Sequence, residues 1–276
     1  WALRRVVRVW GVVAAAALLA AGCGGDSDAD AEPDGPGGET LRILVANDDG
    51  IDHPGMDLMV RRLLELPDVE ISVVAPAENK SGSGKETTPG TVEYSDGETA
   101  SGFEGTAVDG LPADVIGVAL DELGLEPHVV VAGVNDAQNI GPVAVVSGTL
   151  GIVRLAVERG IPAVAASAGL EFNEDEFGVA ADLVADWIEE HREELLEGTL
   201  DLDAAVSFNV PTCDREAMGD LVEVPLAEEL PEGTNIFKSN CDLANPDPKD
   251  DIEALTSGYP AMTEVPVELD ELEPAG

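Results

Sequence analysis

Residues 41–50, LRILVANDDG, constrain the rest of the chain more than any other stretch. Residues 42–46 read as a buried strand, apolar from Ile43 onward, and it stops abruptly at Asn47, Asp48, Asp49 and Gly50. Doubly buried strands belong to parallel sheets, whose ligands bind in the crevice outside the strands' carboxyl ends. Two adjacent carboxylates at such a point repel each other, so a cation or a proton must accompany them. A hard divalent cation with oxygen ligands meets that need.

The pattern then repeats. Helical spacing of Met56, Met59, Val60, Leu63 and Leu64 predicts a helix over 55–66, followed by a buried strand at 70–75. Residues 77–106 carry Gly, Ser, Thr and Lys with few apolar positions and read as a long loop or hairpin flap. A helix over 112–123, a strand at 128–132, a helix over 150–159 and a strand at 163–167 come next. The clearest amphipathic helix covers 177–196, with Phe177, Ala180, Ala181, Val184, Trp187 and Ile188 on one face, and a last core strand spans 204–210. Such alternation defines an α/β chain with a mostly parallel sheet wrapped by helices on both sides, a core domain of 41–210. Aromatics make up 4% of the chain, so its core must be built from Val, Leu, Ile and Ala. From 211 to 276 the composition shifts to Asp, Glu, Pro and Asn, with short strands at 221–225 and 260–267 that suggest a C-terminal β arm or hairpin.

The chain's beginning reads as an address. Arg4, Arg5 and Arg8 precede an apolar run over 10–21 that ends at Gly22 and Cys23, the layout of an export signal covering 1–23. Leu19-Ala20-Ala21-Gly22-Cys23 also resembles a lipoprotein box, in which Cys23 becomes the lipidated first residue; an ordinary secretory peptide or an uncleaved anchor is the alternative. The expected location is the outer face of a bacterial cell membrane, reached only through a lipid anchor, or the exterior. Residues 24–40, rich in Asp, Gly, Glu and Pro, read as a disordered tether. Outside the cytoplasm the two other cysteines, Cys213 and Cys241, are expected to pair, with two buried free thiols as the alternative. Fourteen Lys and Arg against 56 Asp and Glu give a formal charge of −42, a field that repels nucleic-acid polymers and anionic lipid.

Several polar groups fall at predicted strand ends: Asp48 and Asp49 after the first, Ser81 after the second, Asn135 after the third. Carboxylate, hydroxyl and amide oxygens together suit a hard cation with positions open to water and phosphate. Taken singly, each has an equally good structural explanation as a turn former or helix cap. Ser147-Gly148-Thr149 before a helix offers free N–H groups and a positive dipole end to an anion, although Ser and Thr also cap helices for stability. Lys80 and Lys85 flank Ser81 and are read as exposed loop lysines more readily than as charge partners. His53, just past the NDDG turn, is a weaker candidate proton donor, while His128 begins a strand and His191 lies on a solvated helix face. No G-x-G-x-x-G follows the first strand, and neither G-x-x-x-x-G-K-[ST] nor G-x-S-x-G occurs. Gly50 stands where an aspartyl-nucleophile phosphatase would need a second Asp, which favours metal-activated water.

At this point the residues resemble those of a family. LRILVANDDGIDHPGMDLM, VVAPAENKSGSG, VDGLPADVI, AGVNDAQNIGPVAVVSGTLGIVRLAVERGIPAVAAS and LTSGYPAMTEVPVELD are similar, in order, to the motifs of the SurE family of 5'/3'-nucleotidases, the stationary-phase survival proteins. The resemblance implies a Rossmann-like three-layer αβα core, a C-terminal arm that contributes to homodimers, a divalent metal (Mg or Mn), and hydrolysis of nucleoside monophosphates or other small phosphomonoesters. Carried over by position, Asp48, Asp49, Ser81 and Asn135 are the metal ligands, with Asn47 and Ser147-Gly148-Thr149 near the phosphate. Leu111, Val115, Gln138 and Val143 depart from the family's usual Thr, Cys, Pro and Asp. A non-catalytic surface lipoprotein that keeps the fold and captures nucleotides or metal is the competing expectation.

Overall fold

The computed structural model describes residues 38–200 and 203–269; the expected signal segment, its Cys23 and residues 24–37 of the expected tether lie outside them. Among the described residues nine strands form one sheet: β1 (Leu41–Ala46), β2 (Val69–Pro76), β3 (Glu93–Glu98), β4 (Glu104–Asp109), β5 (Val129–Asn135), β6 (Ala163–Ser167), β7 (Ala204–Asn209), β8 (Val222–Glu223) and β9 (Ala261–Pro266). Their order is β3-β4-β2-β1-β5-β6-β7-β9-β8. The β4-β2-β1-β5-β6-β7 stretch is parallel throughout, so its carboxyl ends share one edge.

Alternation along the central strands explains the layers. Leu41, Ile43 and Val45 of β1, with Val129 and Val131 of β5, pack against α1 (Pro54–Leu63) and α4 (Glu174–Glu190). Leu44 and Ala46, with Val130 and Ala132, face the other side and meet α2 (Asp114–Gly117) and α3 (Gly148–Glu158). Because side chains point to opposite faces with period two, continuous apolar runs are what a sheet covered on both sides requires. The result is the expected αβα sandwich.

Several boundaries differ from those predicted. The helix after Pro112 is a short α turn that widens into a π turn, Val118–Glu122. The amphipathic helix breaks at His191 into α4 and α5 (Arg192–Glu197); the His191 ring bonds the Trp187 carbonyl and stacks on the Trp187 indole, 4.7 Å between centroids. The flap after β2 contains the antiparallel β3–β4 hairpin, and β4 pairs with β2 at the sheet's edge. The C-terminal arm lies along the sheet instead of folding as a hairpin: β9 pairs antiparallel with β7, and β8 runs parallel to β9. A third apolar cluster, including Ile140, Ile236, Ile252 and Leu255, seats α6 (Asp251–Thr256) beneath that arm. Cys213 and Cys241 form a disulfide, their Cα atoms 5.9 Å apart. Among the described residues no helix is long and apolar enough to cross a membrane.

Candidate metal centre

The NDDG turn is built by Asn47. Its Nδ2 donates to the Gly50 carbonyl at 2.8 Å and its Oδ1 accepts from Gly50 N–H at 3.3 Å, while Gly50 adopts φ 113°, open to glycine at no steric cost. Asn47 is fully buried with both side-chain polar atoms engaged. Asn47 thus holds the turn that presents Asp48 and Asp49.

With the turn fixed, Asp48 and Asp49 diverge. Asp48 points to the start of α3, where Thr149 gives it both a hydroxyl and a main-chain hydrogen bond. Gly148 permits this approach, since a Cβ there would stand 2.7 Å from Asp48 Oδ2. Ser147 is spent as the N-cap, its Oγ accepting from Leu150 N–H at 3.0 Å. The SGT corner therefore grips a carboxylate of the protein itself, a use the sequence reading did not foresee for a loop expected to hold phosphate.

Asp49 presents its two oxygens to two other connections. Oδ1 accepts from Asn79 Nδ2 at 3.1 Å and from Ser81 Oγ at 3.5 Å, both in the loop after β2. Oδ2 accepts from Asp136 N–H at 3.3 Å, which fixes the end of β5 and brings Asn135 to the same corner. Asn135 Nδ2 is turned to the Ala137 carbonyl at 2.7 Å. The β5 end can curl inward because its register with β6 shifts between Ala132 and Asn135, around Gly133 at φ 124°; a Cβ on Gly133 would lie 2.3 Å from Ala166 O.

His53 borders this corner. It caps α1, with Nδ1 accepting from Gly55 N–H at 3.2 Å, and its ring nitrogens lie 3.9 Å from Asp49 and 3.6 Å from Asp136. Ligand atoms of Asp49, His53 and Asp136 all lie within 4.8 Å of one another, so Asp49 belongs both to this trio and to the expected oxygen set. Asp136 and Asn79 were invisible as site residues in the sequence; only their position beside Asn135 and Ser81 hinted at them. Lys85, by contrast, pairs with Glu158 at the far end of α3.

The electrostatics are those of crowded carboxylates with a single imidazole beside them. Burial pushes the Asp48 carboxyl up, partly offset by Thr149. Burial, then the charges of Asp48 and Asp136, push Asp49 up to about 7. Burial works against a charge on His53, but Asp136 and Asp49 outweigh it and lift the imidazole above its ordinary value. Among the described residues no Lys or Arg forms an ion pair with Asp48, Asp49 or Asp136. Buried carboxylates with a hydroxyl and an amide beside them, and neither Lys nor Arg paired to them, fit a hard divalent cation.

Fold and site together define an α/β protein with a divalent-metal centre at the carboxyl edge of its sheet. The family model described as "Survival protein SurE" matches residues 43–228. The 5'-nucleotidase SurE of Brevibacillus brevis is 35% identical over 193 residues, 68% of this chain and 69% of that protein. The 5'-nucleotidase SurE of Dehalococcoides mccartyi is 32% identical over 235 residues, 79% of this chain and 86% of that protein. The crystal structure of the SurE protein from Aquifex aeolicus superposes with a TM-score of 0.64 at 23% identity, covering 83% of this chain and 94% of that one, a likeness of fold. The chain belongs to the SurE family.

Proposed function

We propose that this protein is a metal-dependent nucleotidase that hydrolyses nucleoside monophosphates to nucleoside and inorganic phosphate. The observation that carries the reading is the convergence on Asp49 of the loop after β2 and the end of β5, at 3.5 Å from Ser81 and 3.3 Å from the Asp136 amide. Its relatives' common description as 5'-nucleotidases supports the substrate class.

Asp48, Asp49, Ser81 and Asn135 would hold the cation, with His53 and Asp136 flanking Asp49. Bound there, a divalent ion supplies Lewis-acid polarisation of a phosphoryl oxygen and lowers the pKa of an attacking water. The water oxygen bonds to phosphorus, the ester P–O bond breaks, and of the water's two protons one passes to the leaving nucleoside oxygen and the other stays on the phosphate. Asp48 and Asp49 stay fixed through this because Thr149, Asn79 and the Asp136 amide hold them, so little reorganisation accompanies the charge change. The Gly148 end of α3 lies beside Asp48, where its dipole favours the developing negative charge.

Phosphate release from a panel of 5'- and 3'-nucleoside monophosphates, with and without chelator, tests the reading. The expected result is turnover that a chelator abolishes and Mg or Mn restores. Metal and nucleotide binding without turnover would establish the non-catalytic lipoprotein instead.

The exported, lipid-anchored location belongs to the same proposal, with residues 1–23 as a lipoprotein signal and Cys23 as the anchor. The Cys213–Cys241 disulfide supports an oxidising compartment. Cys23→Ser should move the protein from the membrane fraction to the soluble one; an unchanged distribution refutes the anchor. Homodimers through the C-terminal arm are supported by β9, which β8 covers only at Ala261 and Met262, so that among the described residues 263–266 have no strand partner on that side; a monomeric mass in solution would remove them.

A further inference from the structure

Along the same edge of the sheet, beyond the ends of β6 and β7, lies an open cavity of about 590 Å3 that the metal centre does not use. Phe172 and Phe237 line it and remain 40% and 38% exposed. Five phenylalanines serve the whole chain, so leaving two in water around one cavity is a conspicuous use of scarce aromatic surface. Phe172 packs edge-on against the buried Phe177, centroids 5.0 Å apart, and Phe237 sits in the segment closed by the Cys213–Cys241 disulfide.

The same cavity is lined by a polar group with capacity to spare. Glu176 is 6% exposed; its Oε1 accepts from Asn173 Nδ2 at 3.4 Å, and Gly169 N–H also bonds the carboxylate. A Cβ on Gly169 would lie 2.5 Å from Glu176 Oε2 and 3.4 Å from Thr212 Oγ1, so glycine keeps this wall open. Among the described residues no cationic side chain is ion-paired to Glu176. A carboxylate has about four acceptor positions, more than these two contacts fill.

The cavity is also at a usable distance. Asn135 pairs with Ser167 across β5 and β6, and Ala168 N–H donates to the Asn135 carbonyl at 3.0 Å, so Gly169 begins one residue past the metal corner. Strands β1 and β6 are separated by two strand spacings, about 10 Å. That is the reach of a nucleotide from its phosphate to its base. Gln138 spans the interval, its Nε2 donating to the Val210 carbonyl and to Thr212 Oγ1 at 3.1 and 3.2 Å.

We propose that this cavity binds the base of the substrate nucleotide, stacked on Phe172 and Phe237, with Glu176 accepting hydrogen bonds from N–H groups on the base edge. The inference rests on the nucleotidase reading of the metal centre and sharpens it to a base preference. Guanine offers two adjacent N–H donors to one carboxylate, whereas adenine and the pyrimidines offer fewer, so guanosine monophosphate should be the best substrate. Stacking on an aromatic side chain is sequence-tolerant and explains why other bases would still be accepted.

Wild type, Phe172→Ala, Phe237→Ala and Glu176→Gln should be compared on guanosine, adenosine and uridine monophosphates and on ribose 5-phosphate, which has no base. Each Phe variant should raise KM for the guanosine ester about tenfold with kcat nearly unchanged, and should leave ribose 5-phosphate untouched. Glu176→Gln should shrink the preference for guanosine over uridine about tenfold while keeping turnover of both. Calorimetric binding of guanosine monophosphate separates this proposal from the one beneath it. A tenfold loss of affinity in the Phe variants without turnover in any form leaves the base site standing and overturns hydrolysis. Unchanged affinity in both Phe variants, or an equal loss for ribose 5-phosphate, overturns the base site whatever the turnover.

Discussion

Asp48 and Asp251 are the same chemical group in similar places, yet they are arranged for different ends. Both are buried beside a short-loop corner, both accept main-chain hydrogen bonds near a helix N-terminus, and burial raises the pKa of both. Asp251 stands between two donors, Gly141 N–H on Oδ2 and Ala227 N–H on Oδ1, each at 2.9 Å, with Asp250 as the neighbouring carboxylate. Asp48 instead shares its corner with Asp49 and, through it, Asp136 and His53. A lone buried carboxylate whose oxygens are both satisfied is a staple. Carboxylates crowded so that burial and the charges of Asp48 and Asp136 push Asp49 up to about 7 mark a place where a cation is expected.

Exchanging the two residues' fates gives the sharpest test. Asp48→Asn should lower phosphate release on the order of 100-fold or more, since it removes a ligand charge, while thermal stability without metal is kept or improved by the loss of like-charge repulsion. Turnover within a factor of two of wild type would place the chemistry elsewhere. Asp251→Ala should do the opposite: unfolding free energy falls by about 3 kcal/mol because two buried N–H groups lose their acceptor, and turnover per folded molecule at low temperature stays the same. Denaturant unfolding and active-site-normalised rates report the two effects separately.

How much of this could be read from the chain depends on what each group leaves in the sequence. The central strands were legible because a strand covered on both faces must be largely apolar, and 43–46, 129–132 and 163–166 are unbroken apolar runs. The β3–β4 hairpin was not, because EYSDGE is largely exposed, EGTAVD buries only Ala107 and Val108, and neither carries an alternation; pairing of β4 with β2, and of β3 with β4, makes them strands. Asp48 and Asp49 announced themselves by adjacency at a strand end. Asp136 did not, because its approach to Asp49 depends on the β5 register shift, a backbone event without a residue signature beyond Gly133. Asp251 was equally silent, one acid among the many of an acidic C-terminal third, set apart only by α6 and the third apolar cluster.

The staple also titrates in a way that separates it from surface acids. Its carboxyl is pushed from 3.8 up to about 6, by burial first, so the folded state binds the proton more tightly than the unfolded state does. Stability contributed through this group is therefore full below about pH 4 and is lost as pH rises through about 6, a change of about 3 kcal/mol. With so many other acids titrating, the measurement should be the difference in unfolding free energy between wild type and Asp251→Asn from pH 4 to 8. Wild type should lose ground against the variant across that window; a flat difference would mean that the two N–H donors fully compensate burial.

The smallest expected effect probes the grip on Asp48. Thr149→Val keeps the shape and the main-chain N–H but removes the hydroxyl that donates to Asp48. A hydrogen bond to a buried charge is worth about 1.5–3 kcal/mol, but Asp48 is crowded and part of that loss is recovered by protonation, so a stability decrease of about 1 kcal/mol is expected without metal. If the cation is held as inferred, it neutralises Asp48 and makes the hydroxyl less needed for stability, and the wild-type-to-variant gap in melting temperature should narrow when Mg or Mn is added. A gap that widens with metal would mean that Thr149 is itself a ligand and that Asp48 is closer in kind to the staple at Asp251 than to a metal-binding group.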